Sequence, residues 1–248
     1  SILSRLGVPA LASLGIVAGI SSYWGYGLWK SEASFKSELW EDHVERNHGE
    51  LTEVAPGLFQ VCASYYTMDK YRNMTVLLLP GGGLLLHSPI ALPEPVMAKL
   101  EEKGKPQFLF LPNESASARV DAAVYRKRYP EAKIICTEAI RDVISPHVAI
   151  DGVAETELKA IDPGFLFITP PLKNQKDSII DAPLANGQRA LMAGELLWNM
   201  KFFPGLLGKL FVIFKLAGDG VQPQVSSVIR TFGFPDPQIR TQFWSDFS

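Results

Sequence analysis

Histidines come first, because an imidazole can exchange a proton near neutral pH or ligate a metal. The chain holds four: His43, His48, His87 and His147. No two are spaced as His-x-His or His-x3-His, so no single strand or helix turn offers a metal a local pair. His43 and His48 lie in an acidic stretch and are expected at the surface. His87 closes the apolar run Leu84–Leu86, where it either hydrogen-bonds within a sheet or lines a pocket. His147 follows Pro146 in a loop and carries little information.

Other reactive types give weak signals. Glu195, in Gly194-Glu195, reads either as a carboxylate with a raised pKa or as a sheet-end residue bonded to backbone or an arginine. Pro80-Gly-Gly-Gly83 lacks the Gly-Lys-Ser/Thr that a phosphate loop needs and reads as a hairpin turn. Ser115 and Ser117 have no base at a telling spacing. Cys62 and Cys136 fall on predicted strands and are expected to be inert core residues. Arg119, Arg126, Lys127 and Arg128 make a basic face, read as solvated, with acidic lipid or a neighbouring subunit as the sharper alternative.

The elements that must position these residues sit in a 248-residue chain with 47% hydrophobic and 20% charged residues, which suits a packed core and excludes disorder. With 24 Lys+Arg against 26 Asp+Glu there is no global basic field for nucleic acid. Two cysteines exclude a disulfide scaffold and mildly favour a reducing compartment.

Leu6 to Trp29 is uncharged over 24 residues. As a helix this is about 36 Å long, enough to cross roughly 30 Å of hydrocarbon. Tyr23, Trp24, Tyr26 and Trp29 would sit at headgroup level, and Gly15 and Gly19 share a face that permits close helix packing. Residues 1–30 are therefore expected to form a transmembrane anchor, with a buried core helix or an uncleaved signal peptide as the alternatives. Residues 31–50, with six acids and two bases, read as an amphipathic connector whose acids are solvated.

From residue 51 the pattern becomes α/β. Strands are expected at 58–62, 74–79, 84–87, 107–111 and 133–136, with helices at 93–103 and 116–128. The second half reads as strands at 157–161, 165–168, 178–180 and 189–192. A long apolar helix is expected at 199–216, broken at Pro204-Gly205, either covering the sheet or dipping into a membrane interface or partner.

The order of these elements carries a resemblance. Glu53–Val61, Met74-Thr-Val76, Gly82-Gly-Leu84, His87-Ser-Pro89, Pro112-Asn113 and Tyr129-Pro-Glu-Ala132 together resemble the metallo-β-lactamase superfamily. Among its branches the pattern is most similar to a domain family of unknown function with His-Ser-Pro and Pro-Asn-x-x-His-His motifs. The resemblance covers about residues 51–200 and implies an αβ/βα sandwich over 51–248, with a metal site at the sheet edge. It also implies that the ligand positions have degenerated. The His-His pair falls on Ala116 and Ser117, a later histidine on Leu172, and the bridging acid on Glu195. The old pocket would be bounded by His87, Asn113, Glu114, Ala116, Ser117, Leu172 and Glu195.

The functional expectation is a non-catalytic accessory subunit of a membrane complex, holding no metal or cofactor. Its partners would be the lipid bilayer and other subunits, not nucleic acid. An organellar energy-transducing membrane is the expected setting, the mitochondrial inner membrane slightly ahead of the thylakoid. The alternatives are a tethered hydrolase with a rearranged metal site (His87, Glu114, Glu195 and Asp151 or Asp181), or a lipid- or small-ligand-binding module.

Overall fold

The computed structural model describes residues 37–44, 47–65, 68–115, 119–171, 176–194, 197–198 and 224–225. The expected anchor, with Gly15, Gly19, Tyr23, Trp24 and Trp29, lies outside them, as does the apolar segment 199–216. Among the described residues, no helix is long and apolar enough to cross a membrane.

A single helical turn, α1 (Trp40–His43), precedes seven strands that form one sheet in chain order. These are β1 (Thr52–Ala55), β2 (Leu58–Tyr65), β3 (Met68–Leu78), β4 (Gly83–His87), β5 (Lys105–Phe110), β6 (Lys133–Cys136) and β7 (Gly152–Val153). β1 to β4 pair antiparallel, and β4 to β7 pair parallel. The change at β4 follows from the connections. Gly81 and Gly82 have φ of 95° and 88°, a backbone only glycine adopts freely, and close the β3–β4 hairpin. Beyond β4 each parallel step needs a crossover, supplied by α2 (Glu94–Glu101), α3 (Ala122–Arg128) and α4 (Glu138–Ile144).

Side-chain alternation divides the core in two. Leu84, Leu86, Leu109, Leu111 and Ile134 face helices α2, α3 and α4, where Met97, Leu100, Tyr125, Ile140 and Ile144 meet them. Leu85, Phe108, Phe110 and Ile135 point the other way, onto α5 (Ala154–Glu157) and a second sheet. That sheet is antiparallel, in the order β10 (Arg189–Ala193), β9 (Ile179–Pro183), β8 (Leu166–Ile168). Its Ile180, Ala182, Ala190 and Met192 complete the inner layer. Two short strands, β11 (Leu197–Trp198) and β12 (Gln224–Val225), pair with each other apart from these sheets. The expected α/β class is what the structure has: a mixed seven-stranded sheet with helices on one face and a small antiparallel sheet on the other.

Two expectations need correction. Residues 157–161 are not a strand: α5 runs into turns in which Leu158 N–H bonds Ala154 O and Ile161 N–H bonds Leu158 O. Ala154, Leu158 and Ile161 recur at helical spacing, which a short apolar alternation disguises. The helix expected at 116–128 is interrupted by a turn at Val120 and Asp121 before α3 begins at Ala122, and residues 116–118 lie outside the described residues. Of the expected connector, residues 37–44 and 47–50 are described, and the acids Glu38, Glu41, Asp42 and Glu50 there are exposed. The connector's turn α1 packs on the body, with Trp40 edge-on to Tyr125 at 5.0 Å and donating its indole N–H to Leu92 O at 3.1 Å.

Candidate functional site

Two clusters of buried polar residues stand out, and only one was legible beforehand. The first lies at the C-terminal rim of the parallel strands, where the two sheets meet. Open α/β sheets commonly bind ligands beyond the carboxyl ends of their strands.

His87 ends β4 there, 2% exposed, its ring stacked on Phe110 at 5.3 Å between centroids. Burial pushes its pKa down to about 4, so it is neutral at physiological pH. Ser88 follows in a left-handed conformation (φ 55°), its N–H bonded to Phe110 O at 3.0 Å. Its hydroxyl is a long 3.4 Å from His87 Nδ1. His87 Nε2 has no hydrogen-bond partner among the described residues. The in-sheet hydrogen bond considered for this ring is therefore absent at that nitrogen.

Beyond β5, Asn113 forms an isolated antiparallel bridge with Asp177, just before β9. Its amide oxygen accepts the Ser115 N–H at 3.0 Å, an Asx turn that shapes the loop. Its Nδ2, like His87 Nε2, meets no hydrogen-bond partner among the described residues. Asp177 accepts the Ser178 N–H at 2.8 Å, and Ser178 and Thr137 hydroxyls lie 2.6 Å apart. Asn113, Thr137, Asp177 and Ser178 are all at most 1% exposed. They form a seam stitching the rim of the large sheet to the small one. Gly194 belongs to it: a Cβ there would fall 2.6 Å from both Asn113 Nδ2 and an Asp177 oxygen.

Of the expected pocket residues, the structure brings His87 and Asn113 to this rim. Glu114 follows Asn113, and its carbonyl accepts the Arg119 Nε–H at 3.0 Å. Ala116, Ser117, Leu172 and Glu195 lie outside the described residues. Two of the acids suggested for a rearranged metal site are committed elsewhere. Asp151 pairs with Arg126 at 3.0 Å, and Asp181 pairs with Arg189 at 2.9 Å. Among the described residues no three His, Cys, Asp or Glu side chains are placed to hold a metal ion. The described donor set thus does not fit a zinc centre, which needs three or four such ligands.

The second cluster corrects the reading of His43. It is 2% exposed, not at the surface. Its Nδ1 lies 2.9 Å from Asp121 Oδ1, and its Nε2 lies 3.2 Å from Ser37 O. Asp121 immediately precedes α3 but does not cap it; the carboxylate turns inward. Its other oxygen accepts the Ala91 N–H at 3.1 Å and pairs with the Arg72 guanidinium at 3.0 Å. Burial works to raise the Asp121 carboxyl, but Arg72 and His43 together hold it below the usual carboxylate range. For His43 burial works downward and is outweighed by the bond and charge of Asp121, so its pKa is raised. Neither Asp121 nor Arg72 was singled out in the sequence.

The remaining reactive groups are quiet. Cys136 is buried, and burial pushes its thiol up to about 12. Cys62 is exposed rather than in the core, and its thiol donates to Asn73 Oδ1. The basic face of α3 is paired within the molecule: Arg126 with Asp151, Lys127 with Glu38, and Arg128 with Glu94 and Glu101. Arg128 also stacks over Trp40 at 4.8 Å. No protein-family model matches the chain, and no curated protein matches it either.

Proposed function

We propose that the chain is a non-catalytic accessory subunit of a membrane complex, anchored by residues 6–29, with a degenerate metallo-β-lactamase-like body. What carries this reading is the closed seam at the rim. Asn113, Thr137, Asp177 and Ser178 are buried and joined across the two sheets, so the described part of this edge serves cohesion. A sheet flanked by helices and faced by a second sheet suits the αβ/βα sandwich of that superfamily, and a stable body can outlive the loss of its chemistry. The docked connector also supports an anchored role. Only six residues lie between Lys30 and Ser37, so Ser37 stays within about 25 Å of Lys30. The bilayer and neighbouring subunits are the proposed partners. An organellar inner membrane, mitochondrial ahead of thylakoid, is the proposed setting.

Native membranes provide the test. Retention in the carbonate-washed pellet, in a particle well above 27.3 kDa, is the expected result. Release into the soluble fraction, or zinc or iron at close to one atom per purified chain, would overturn the proposal.

One observation favours a second reading, a small-ligand module: His87 Nε2 and Asn113 Nδ2 are buried without partners, and such groups usually meet a ligand or a water. Crystallographic density larger than a water at either nitrogen would support it, and empty or single-water density would dismiss it.

A further inference from the structure

We propose that His43, Asp121 and Ser37 form a proton-dependent clasp, which holds the segment Ser37–Val44 on the body while the imidazole is doubly protonated and releases it when the proton is lost. The geometry requires the charged ring. Both ring nitrogens face acceptors, the Asp121 carboxylate at 2.9 Å and the Ser37 carbonyl at 3.2 Å. A neutral imidazole has one N–H and can donate to only one of them. The other contact then becomes a lone pair against a lone pair beside a buried ring. Imidazolium alone satisfies both.

The surroundings set the direction of the switch. Asp121 faces the ring from the start of α3. Arg72 reaches the same carboxylate from β3, and its positive charge opposes protonation of His43. The Ser37 carbonyl faces it from within the segment. Net, the proton is held more tightly in the closed state than in the open one. A raised pKa contributes stability that is fully present below the open-state value, about 6.5, and is lost as pH rises through the closed-state value. One linked proton lowers the closed-to-open ratio by up to tenfold per pH unit across that window.

The segment also carries Trp40, whose indole covers Tyr125 and bonds Leu92 O, so opening would bare an apolar face on α3. The clasp stands whether or not residues 6–29 cross a membrane.

Hydrogen–deuterium exchange of the full chain in detergent micelles, from pH 5.5 to 9, reads the clasp at the Asp42 and Val44 amides, which bond Leu39 O and Trp40 O. After correction for intrinsic rates, protection is expected to fall as pH rises, by no more than tenfold per pH unit, while amides in β4 and β5 hold theirs. His43→Asn is expected to remove the pH response. Nitrogen-15 NMR of the wild-type imidazole needs no variant to fold and should find both ring nitrogens protonated at pH 6. A single neutral tautomer at pH 6, or protection that does not change between pH 6 and 9, would refute the clasp.

Discussion

His43 and His87 are equally buried, each 2% exposed, yet they titrate in opposite directions. His87 stacks on Phe110 with its Nε2 unpartnered, and desolvation takes its pKa to about 4. His43 has an acceptor at each nitrogen, one of them charged, and is pulled above its ordinary value. Burial sets the scale of the effect, and partners set its sign. At the rim the imidazole is thus neutral, whereas at the connector it is held by a charged partner.

The contrast breaks most directly at Asp121. Asp121→Ala leaves Arg72 and His43 buried without their anion, and loss of one partner from such a group costs about 3–5 kcal/mol. Urea denaturation at pH 7 should show a loss of that size, and a change within error would mean that the cluster is solvated.

His87 comes next. Its depressed pKa contributes stability present above the unfolded value near 6.5 and lost as pH falls towards 4, in all about 3 kcal/mol. His87→Leu should flatten this acid limb in a denaturation series from pH 7 to 4, with little loss at pH 7. A variant as acid-sensitive as wild type would place the liability elsewhere.

At the seam, Gly194→Ala should lower stability by about 1–3 kcal/mol, because its Cβ must displace Asn113 or Asp177. Thr137→Val should cost about 1–2 kcal/mol by stranding the Ser178 hydroxyl. Calorimetry can check both, and unchanged melting temperatures would show that the seam contributes no cohesion. The smallest effect belongs to the exposed Lys127–Glu38 pair, where Lys127→Ala should leave the melting temperature unaltered.

How much of this was legible follows the reach of each interaction. The β3–β4 hairpin declares itself locally, through an apolar run, Pro80, three glycines and a second apolar run. The continuous stretch at 107–111 announces a strand buried on both faces, and β5 occupies it. His43 misleads because its neighbours Glu41 and Asp42 read as solvent-facing. Its partner Asp121 lies 78 residues away, a distance that no spacing rule spans. Asn113 was marked by its motif, but Asp177 was not, for the same reason. The 157–161 segment fails differently, since five residues are too few to separate a period of two from one of 3.6.

The switch from antiparallel to parallel pairing at β4 also has a consequence in time. β1 to β4 are neighbours in sequence and need close only short loops, whereas each strand from β5 onward must wait for a helix to be spanned. The meander should therefore gain amide protection before the crossover half in a pulse-labelled refolding experiment. During synthesis it also leaves the ribosome first, as a template awaiting the remainder.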